Sequence, residues 1–368
     1  MFRSSGAHPF LLSPRDYAAE DTFAAEQAGV FRRSWNVVAA ARDLQRPGDQ
    51  LATEIGGLPV LVRNEGGELR AFLNVCAHRH SLLAPPGRSH QATFRCQYHG
   101  WQYGADGRLA HLPDGPSFKG WKASDARLQA MRCRVAYGLV FVNPGPGDGT
   151  LEDDHGPVSA ELARHFDGME LRWIQESVHD ANWKIIVENA VESYHVPLVH
   201  AATFGRYQDE EKIRHVVEPT FTQYHDEQSL QDMPRLARMI DEVFFAGTRL
   251  WGYSHTHVFP NHLVTWGGFY REWVVVEPLG PRRSRRLGYG FFPKEVRHRG
   301  PLGLAERLAL DEHARRTRKG ADRILAEDSS VWTSVQRGSE ASPHRGVIGA
   351  REERVAAFHR WLLDRRAA

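Results

Sequence analysis

The sequence predicts an α+β protein in which a small antiparallel β domain precedes a larger mixed domain. Three observations carry that expectation. Residues 36–145 consist of short apolar alternations broken by Gly-rich turns. The stretch NPGPGDGTLEDDHGP (143–157) is dense in Gly, Pro and Asp and reads as a junction. After it, helical periodicity over 180–200, 302–338 and 350–365 brackets long aromatic-rich strands over 250–293.

Taken in order, residues 15–35 carry helix formers with apolar residues at helical spacing, so 1–35 is expected to be a helical segment packed on the larger domain. In 36–145, LATEIGGLPVLVRNEGGELRAFLNVC reads as strand, Gly-Gly turn, strand, EGG turn, strand. TFRCQYHGWQYGADGRLAHL repeats the form around an ADG turn. The second domain is assigned to 146–368. The basic run PRRSRR (281–286) is read as a solvated hairpin turn.

The 368 residues are 41% hydrophobic and 25% charged, with a formal charge of +2. That is the composition of a folded globular chain, and it gives no bulk electrostatic reason to bind nucleic acid or a membrane. The N-terminus lacks a sustained apolar core, and no apolar run approaches the ~20 residues that span a bilayer. A cytoplasmic location is therefore expected. Three cysteines in such a compartment do not suggest a disulfide framework.

Two of those cysteines sit beside histidines: Cys76-x-His78, then 17 residues, then Cys96-x-x-His99. Two thiolates and two imidazoles on two loops suit either zinc or an iron–sulfur centre in which cysteines hold one iron and histidines the other. His80 is then a loop residue, and Cys133 a lone buried thiol.

A second constellation lies in NWKIIVENAVESYHVPLVH (182–200). His195 and His200 are five apart, which on an unbroken helix turns one about 140° from the other. Pro197 lies between them and is expected to break the helix, letting the second imidazole swing back. Glu188, Glu192 and His195 would share a helical face. Two histidines and one carboxylate form a facial iron site. The distant carboxylate is sought in ILAEDSSVWTSVQRG (324–338), with Asp328 taken over Glu327.

CAHRH, CQYHGW, FRRSWNVVA, NWK…EN…E-x-YH-x4-H, FPN and ED…VQRG, in this order, resemble the α subunits of Rieske non-haem iron oxygenases, with the bridging Glu found in the branch that includes carnitine, choline and glycine-betaine oxygenases. The resemblance implies an N-terminal Rieske antiparallel β domain and a helix-grip (START-like) catalytic domain. It implies that Cys76, His78, Cys96 and His99 hold a 2Fe–2S cluster, although the family more often has Gly where His80 stands. His195, His200 and Asp328 would hold a mononuclear Fe(II), Asp328 by its place eight residues before Gln336. Glu192 would link the cluster of one subunit to the iron of its neighbour in a homotrimer, and Asn189 would lie near the iron.

The function implied is O2-dependent hydroxylation of a small organic molecule, with an aromatic one expected. The alternatives are monooxygenation of a quaternary ammonium or N-methyl compound with C–N cleavage, or, as a different class, a Rieske electron carrier alone. The chain shows no Gly-rich dinucleotide fingerprint and too few cysteines for a second cluster. Electrons from NAD(P)H are therefore expected through a separate reductase, with or without a ferredoxin. Trp251, Tyr253, Phe259, Trp266, Phe269, Tyr270 and Trp273 are candidates for an aromatic substrate wall, against the plainer expectation that most of them pack the core.

Overall fold

The computed structural model describes residues 7–207, 212–226, 250–296 and 298–367. The chain divides into two compact units, Glu26–Asp154 and Met1–Ala25 with His155–Ala368. The division at Asp154 falls inside the Gly/Pro/Asp-rich stretch.

In the first unit seven antiparallel strands form one sheet, in the order Asn36–Ala40, Leu139–Asn143, Ala130–Ala136, Glu68–Leu73, Leu58–Glu65, Asp49–Ile55 and Gly87–His90. The two Gly-Gly turns are at positive φ, where glycine carries no Cβ penalty, and they close two-residue hairpins between Ile55 and Leu58 and between Glu65 and Glu68. Alternation then sorts the strand residues. Val60 and Val62 pack with Val140 and Val142 on one side, while Leu61 packs on the other with Phe72, Phe94, Trp101, Tyr103, Cys76 and Cys96. Cys133 lies on the strand Ala130–Ala136, where burial pushes its thiol up to about 12.

In the second unit another seven-stranded antiparallel sheet runs in the order Met169–His179, Arg283–Pro293, Tyr270–Gly280, His262–Gly268, Leu250–Val258, Phe221–Asp226, Ile213–Val217. A 42-residue helix, Gly300–Ala341, and a terminal helix, Glu353–Ala367, accompany it. One sheet face, with Tyr224, Tyr253, His255, Thr265, Glu272 and Val274, lines a cavity of about 710 Å³. Residues two apart on a strand share a face, so their neighbours turn away from that cavity.

That alternation corrects much of the expected aromatic wall. Tyr253 and Tyr270 line the cavity. Trp266 instead stacks on His165, Trp273 meets Phe166, Phe269 lies against His313, and Phe259 lies against Trp361. Trp266, Phe269 and Trp273 are buried in the core, and Phe259 is half-buried beside the terminal helix. The side chain of Trp251 lies outside the described residues. Of the run 281–286 only residues 281–282 form the expected turn; Arg283 already begins the strand Arg283–Pro293, Ser284 is buried and Arg286 reaches the cavity wall.

The segment 15–35 is less helical than its spacing suggests. A helix covers Glu20–Gly29, with single 3-10 turns at Pro14–Tyr17 and Phe31–Arg33. Residues 180–200 also differ. The helix Trp183–Ala190 stops well before Pro197, which instead sits in the first turn of a short helix, Val196–Val199. There the missing N–H costs nothing, because first-turn donors have no intrahelical acceptor. Glu188, Glu192 and His195 therefore do not share one helical face.

Buried His257 and His262 and half-buried His255 lie on adjacent strands and are held below the ordinary imidazole range, chiefly by desolvation. His257, whose Nε2–H donates to the Pro260 carbonyl at 2.8 Å, is pushed down to about 3. An unfolded chain takes up these protons near pH 6.5 and the folded chain does not. Stability is therefore expected to fall as pH drops below about 6.5. Melting temperatures from pH 8 down to 5 check this, and His257→Gln should flatten the slope.

Candidate active site

The first constellation is held by two loops of matching backbone geometry. In one, the Cys76 N–H donates to the Ser81 carbonyl at 2.8 Å and the His80 N–H to the Cys76 carbonyl at 3.1 Å. In the other, the Cys96 N–H donates to the Trp101 carbonyl at 2.8 Å and the Gly100 N–H to the Cys96 carbonyl at 3.0 Å. The fifth residue of each loop is left-handed: His80 at φ 60° and Gly100 at φ 74°. His80 thus occupies the backbone position that its sister loop gives to glycine, at a cost of roughly 1 kcal/mol.

These turns set both cysteines in the core and bring the rings of His78 and His99 to 4.5 Å. His78 stacks on Trp101 at 4.7 Å. Its Nδ1 is buried with no hydrogen-bond partner, and burial, with His99 and Arg79, lowers its pKa. A neutral imidazole with an unshared nitrogen is suited to a metal ion. The Tyr103 hydroxyl lies 3.0 Å from the Cys76 sulfur and accepts the Ala77 N–H at 3.0 Å. Burial raises the Cys76 pKa, against that hydroxyl. Buried thiols and an imidazole whose Nδ1 is buried without a partner fit an iron–sulfur cluster held by two cysteines and two histidines.

The second constellation converges. Nitrogens of His195 and His200 and an oxygen of Asp328 all lie within 4.8 Å of one another. Asp328 Oδ1 is 3.5 Å from His195 Nε2 and 3.1 Å from His200 Nε2, yet this buried oxygen forms no well-aligned hydrogen bond. Three donors that face a common point without bonding one another fit a divalent cation between them.

Each imidazole is held from behind. The Nδ1 of His195 is bound by Glu192, which also accepts the backbone N–H of Tyr194 and His195. The Nδ1 of His200 lies 2.8 Å from Glu327, whose carboxylate also accepts the Thr203 hydroxyl. A carboxylate behind each ring fixes the proton on Nδ1 and leaves the Nε2 lone pair for the metal. Asp328 and, behind it, Glu327 raise the His200 pKa against desolvation. Glu327, passed over as a ligand on sequence grounds, thus proves to be the residue that orients one. Its adjacency to Asp328 was the only sequence signal, since neighbours on a helix point about 100° apart.

The long helix positions the whole segment through residues four apart. Gln336 Oε1 accepts the Asn182 N–H at 2.8 Å, Trp332 donates its indole N–H to Asn189 Oδ1 at 2.8 Å, and Asp328 meets the two histidines. Asn182 caps the helix Trp183–Ala190 by accepting the Lys184 N–H at 3.0 Å. Asn189 lines the same cavity as His195, His200 and Asp328.

A family model described as Ring hydroxylating alpha subunit (catalytic domain) matches residues 166–368, and one described as Rieske 2Fe–2S domain matches residues 34–122. The carnitine monooxygenase oxygenase subunit of Escherichia coli (strain K12) is 32% identical over 204 residues, 54% of this chain and 54% of that one. The chloroplastic choline monooxygenase of Spinacia oleracea is 26% identical over 368 residues, 95% of this chain and 77% of that one. Among solved structures, a quaternary ammonium Rieske monooxygenase in complex with L-carnitine superposes with a TM-score of 0.74 at 20% identity, over 98% of this chain and 96% of that one. At that identity the likeness speaks for the fold.

Glu327→Ala should weaken iron binding about 10- to 100-fold while leaving the fold intact. Metal titration followed by circular dichroism checks both halves. Tyr103→Phe removes a hydrogen bond to sulfur that favours the reduced cluster, so its potential should fall by roughly 20–60 mV, readable by spectroelectrochemistry.

Proposed function

Because the chain belongs to the ring-hydroxylating alpha-subunit family, whose catalytic-domain model spans residues 166–368, we propose that it is the terminal oxygenase of a multicomponent Rieske system. It oxidises a small organic substrate with O2, using electrons from a separate reductase, or from a ferredoxin, and ultimately from NAD(P)H. The observation that carries this reading is the convergence of His195, His200 and Asp328 on one wall of the 710 Å³ cavity. An electron carrier has no use for a metal site facing such a cavity, which is of the size that encloses a small organic molecule.

Cys76, Cys96, His78 and His99 would hold the cluster, and His195, His200 and Asp328 the iron. The iron would supply reductive activation of O2 and the cluster single electrons. The chain's own work is placement. Glu192 and Glu327 keep the imidazole protons on Nδ1. Ile186, Leu263, Val274 and Ile324 wall the cavity with apolar surface that excludes water, and Tyr224, Tyr253, Tyr270 and Trp332 offer aromatic faces to the substrate. Those faces suit an aromatic ring. They also suit a quaternary ammonium group by cation–π attraction. The relatives named for carnitine and choline support this second reading.

Glu192 has a further proposed part. Held against His195 in one subunit, it would also meet His99 of the partner subunit in a homotrimer and carry the electron between them. Glu192→Gln should keep both metals and lose turnover; full activity in that variant removes the bridge.

The test of the main reading is a product assay. Reduced protein is mixed with O2 and two pools, simple aromatic acids and trimethylammonium compounds, and products are read by mass spectrometry. Hydroxylated rings support the aromatic reading, and aldehyde with cleaved amine supports the ammonium reading. Asp328→Ala should lose the mononuclear iron, keep the cluster spectrum and make neither product.

A further inference from the structure

Among the charges on the cavity wall that the proposed chemistry does not use, Arg354 is the most deeply buried cation. Arg354, on the terminal helix, is only 4% exposed and lines the cavity. Its Nε–H donates to the Thr222 hydroxyl at 3.0 Å, and its Nη2 donates to the His255 carbonyl at 3.2 Å and lies 3.2 Å from His255 Nδ1. All of these partners are neutral. Burial pushes its pKa down to about 10, so the guanidinium is still charged at neutral pH.

No described carboxylate forms an ion pair with Arg354. Glu353, the residue before it, acts on it only through space and does not line the cavity. The other buried arginines are provided for. Arg63 pairs with Glu65, and Arg286 pairs with Glu272 at 3.4 Å. Arg271, which does not face the cavity, is capped by the carbonyls of His165, Gly268 and Tyr270. Of the acids on the cavity wall, Glu272 is committed to Arg286 and Tyr270, Glu192 and Asp328 to the histidines, and Asp226 is not paired with Arg354. A buried cation without a counter-charge is costly, and a guanidinium fork is the side chain best shaped to bind a carboxylate through two parallel hydrogen bonds.

We propose that Arg354 is the anchor for a carboxylate on the substrate. The inference rests on the oxygenase reading and narrows its substrate to an organic acid. Arg354, Tyr253 and Asp328 line the same cavity, so a compact acid held at Arg354 lies in the chamber that the metal site faces. An aromatic acid and a carboxylate-bearing ammonium compound both meet this requirement. A simple amine or a neutral arene does not.

The test is anaerobic calorimetry on the iron-loaded protein with two matched pairs: benzoate against benzamide, and trimethylglycine against choline. In at least one pair the acid should bind about 10-fold or more tightly than its uncharged or carboxylate-free partner. Arg354→Gln should cut binding of that acid about 10- to 100-fold and leave the partner's binding unchanged. Arg354→Lys, which keeps the charge and loses the fork, should fall between. Iron content and melting temperature monitor folding, and removing an unpaired buried charge should not lower the melting temperature by more than a few degrees. Equal binding of acid and partner, no binding of either acid, or undiminished acid binding by Arg354→Gln would overturn the proposal. The pairs also separate the two readings. An acid that binds through Arg354 yet gives no O2-dependent product counts against the oxygenase and leaves the anchor standing. Turnover of choline or benzamide alone does the reverse.

Discussion

The catalytic unit depends on a single long helix holding the segment 182–200 at three points. Residues 328, 332 and 336 follow one another at four-residue spacing on the helix Gly300–Ala341, and they meet the two histidines, Asn189 and Asn182 in turn. That spacing keeps three side chains on one helical face. Because the helix is stiff, fixing Asn182 at one end and the histidines at the other fixes the path between. The turn 192–195, between the helices Trp183–Ala190 and Val196–Val199, is thereby held where the His195 imidazole is needed.

Metal sites need more than ligands of the right type. An imidazole with a free ring can turn its lone pair away or carry its proton on the wrong nitrogen. Here Glu192 and Glu327 each take one Nδ1–H, one from the local turn and one from the long helix. The two nitrogens that remain face Asp328. The same economy appears in the other unit, where two turns of matching hydrogen bonding bury two thiols and leave two imidazoles side by side. His80 in a left-handed conformation shows how firmly that turn is imposed.

The cavity obeys a different rule. Its sheet wall is selected by alternation, so half of the aromatic residues on the strands face away whatever their chemistry. What does face in is mixed: tyrosines, apolar side chains, acids already committed to partners, and Arg354. A polar group in such a wall either has its partner in the protein or is positioned for a ligand.

The sequence by itself determined the family, the two-domain order and the strand-rich first unit, and it pointed to the two Cys/His loops and the His-His-Asp set that the structure brings together. These are legible because spacing on loops and turns is local, and local spacing survives folding unchanged. Tertiary structure alone decided four further matters: where the helix after Asn182 ends, that Glu327 orients His200 and does not replace Asp328, which aromatics meet the cavity, and that Arg354 is buried there with no described carboxylate paired to it. Each depends on residues brought together from more than a hundred positions apart, or on which face of a strand is covered. Neither is encoded in the spacing of neighbours.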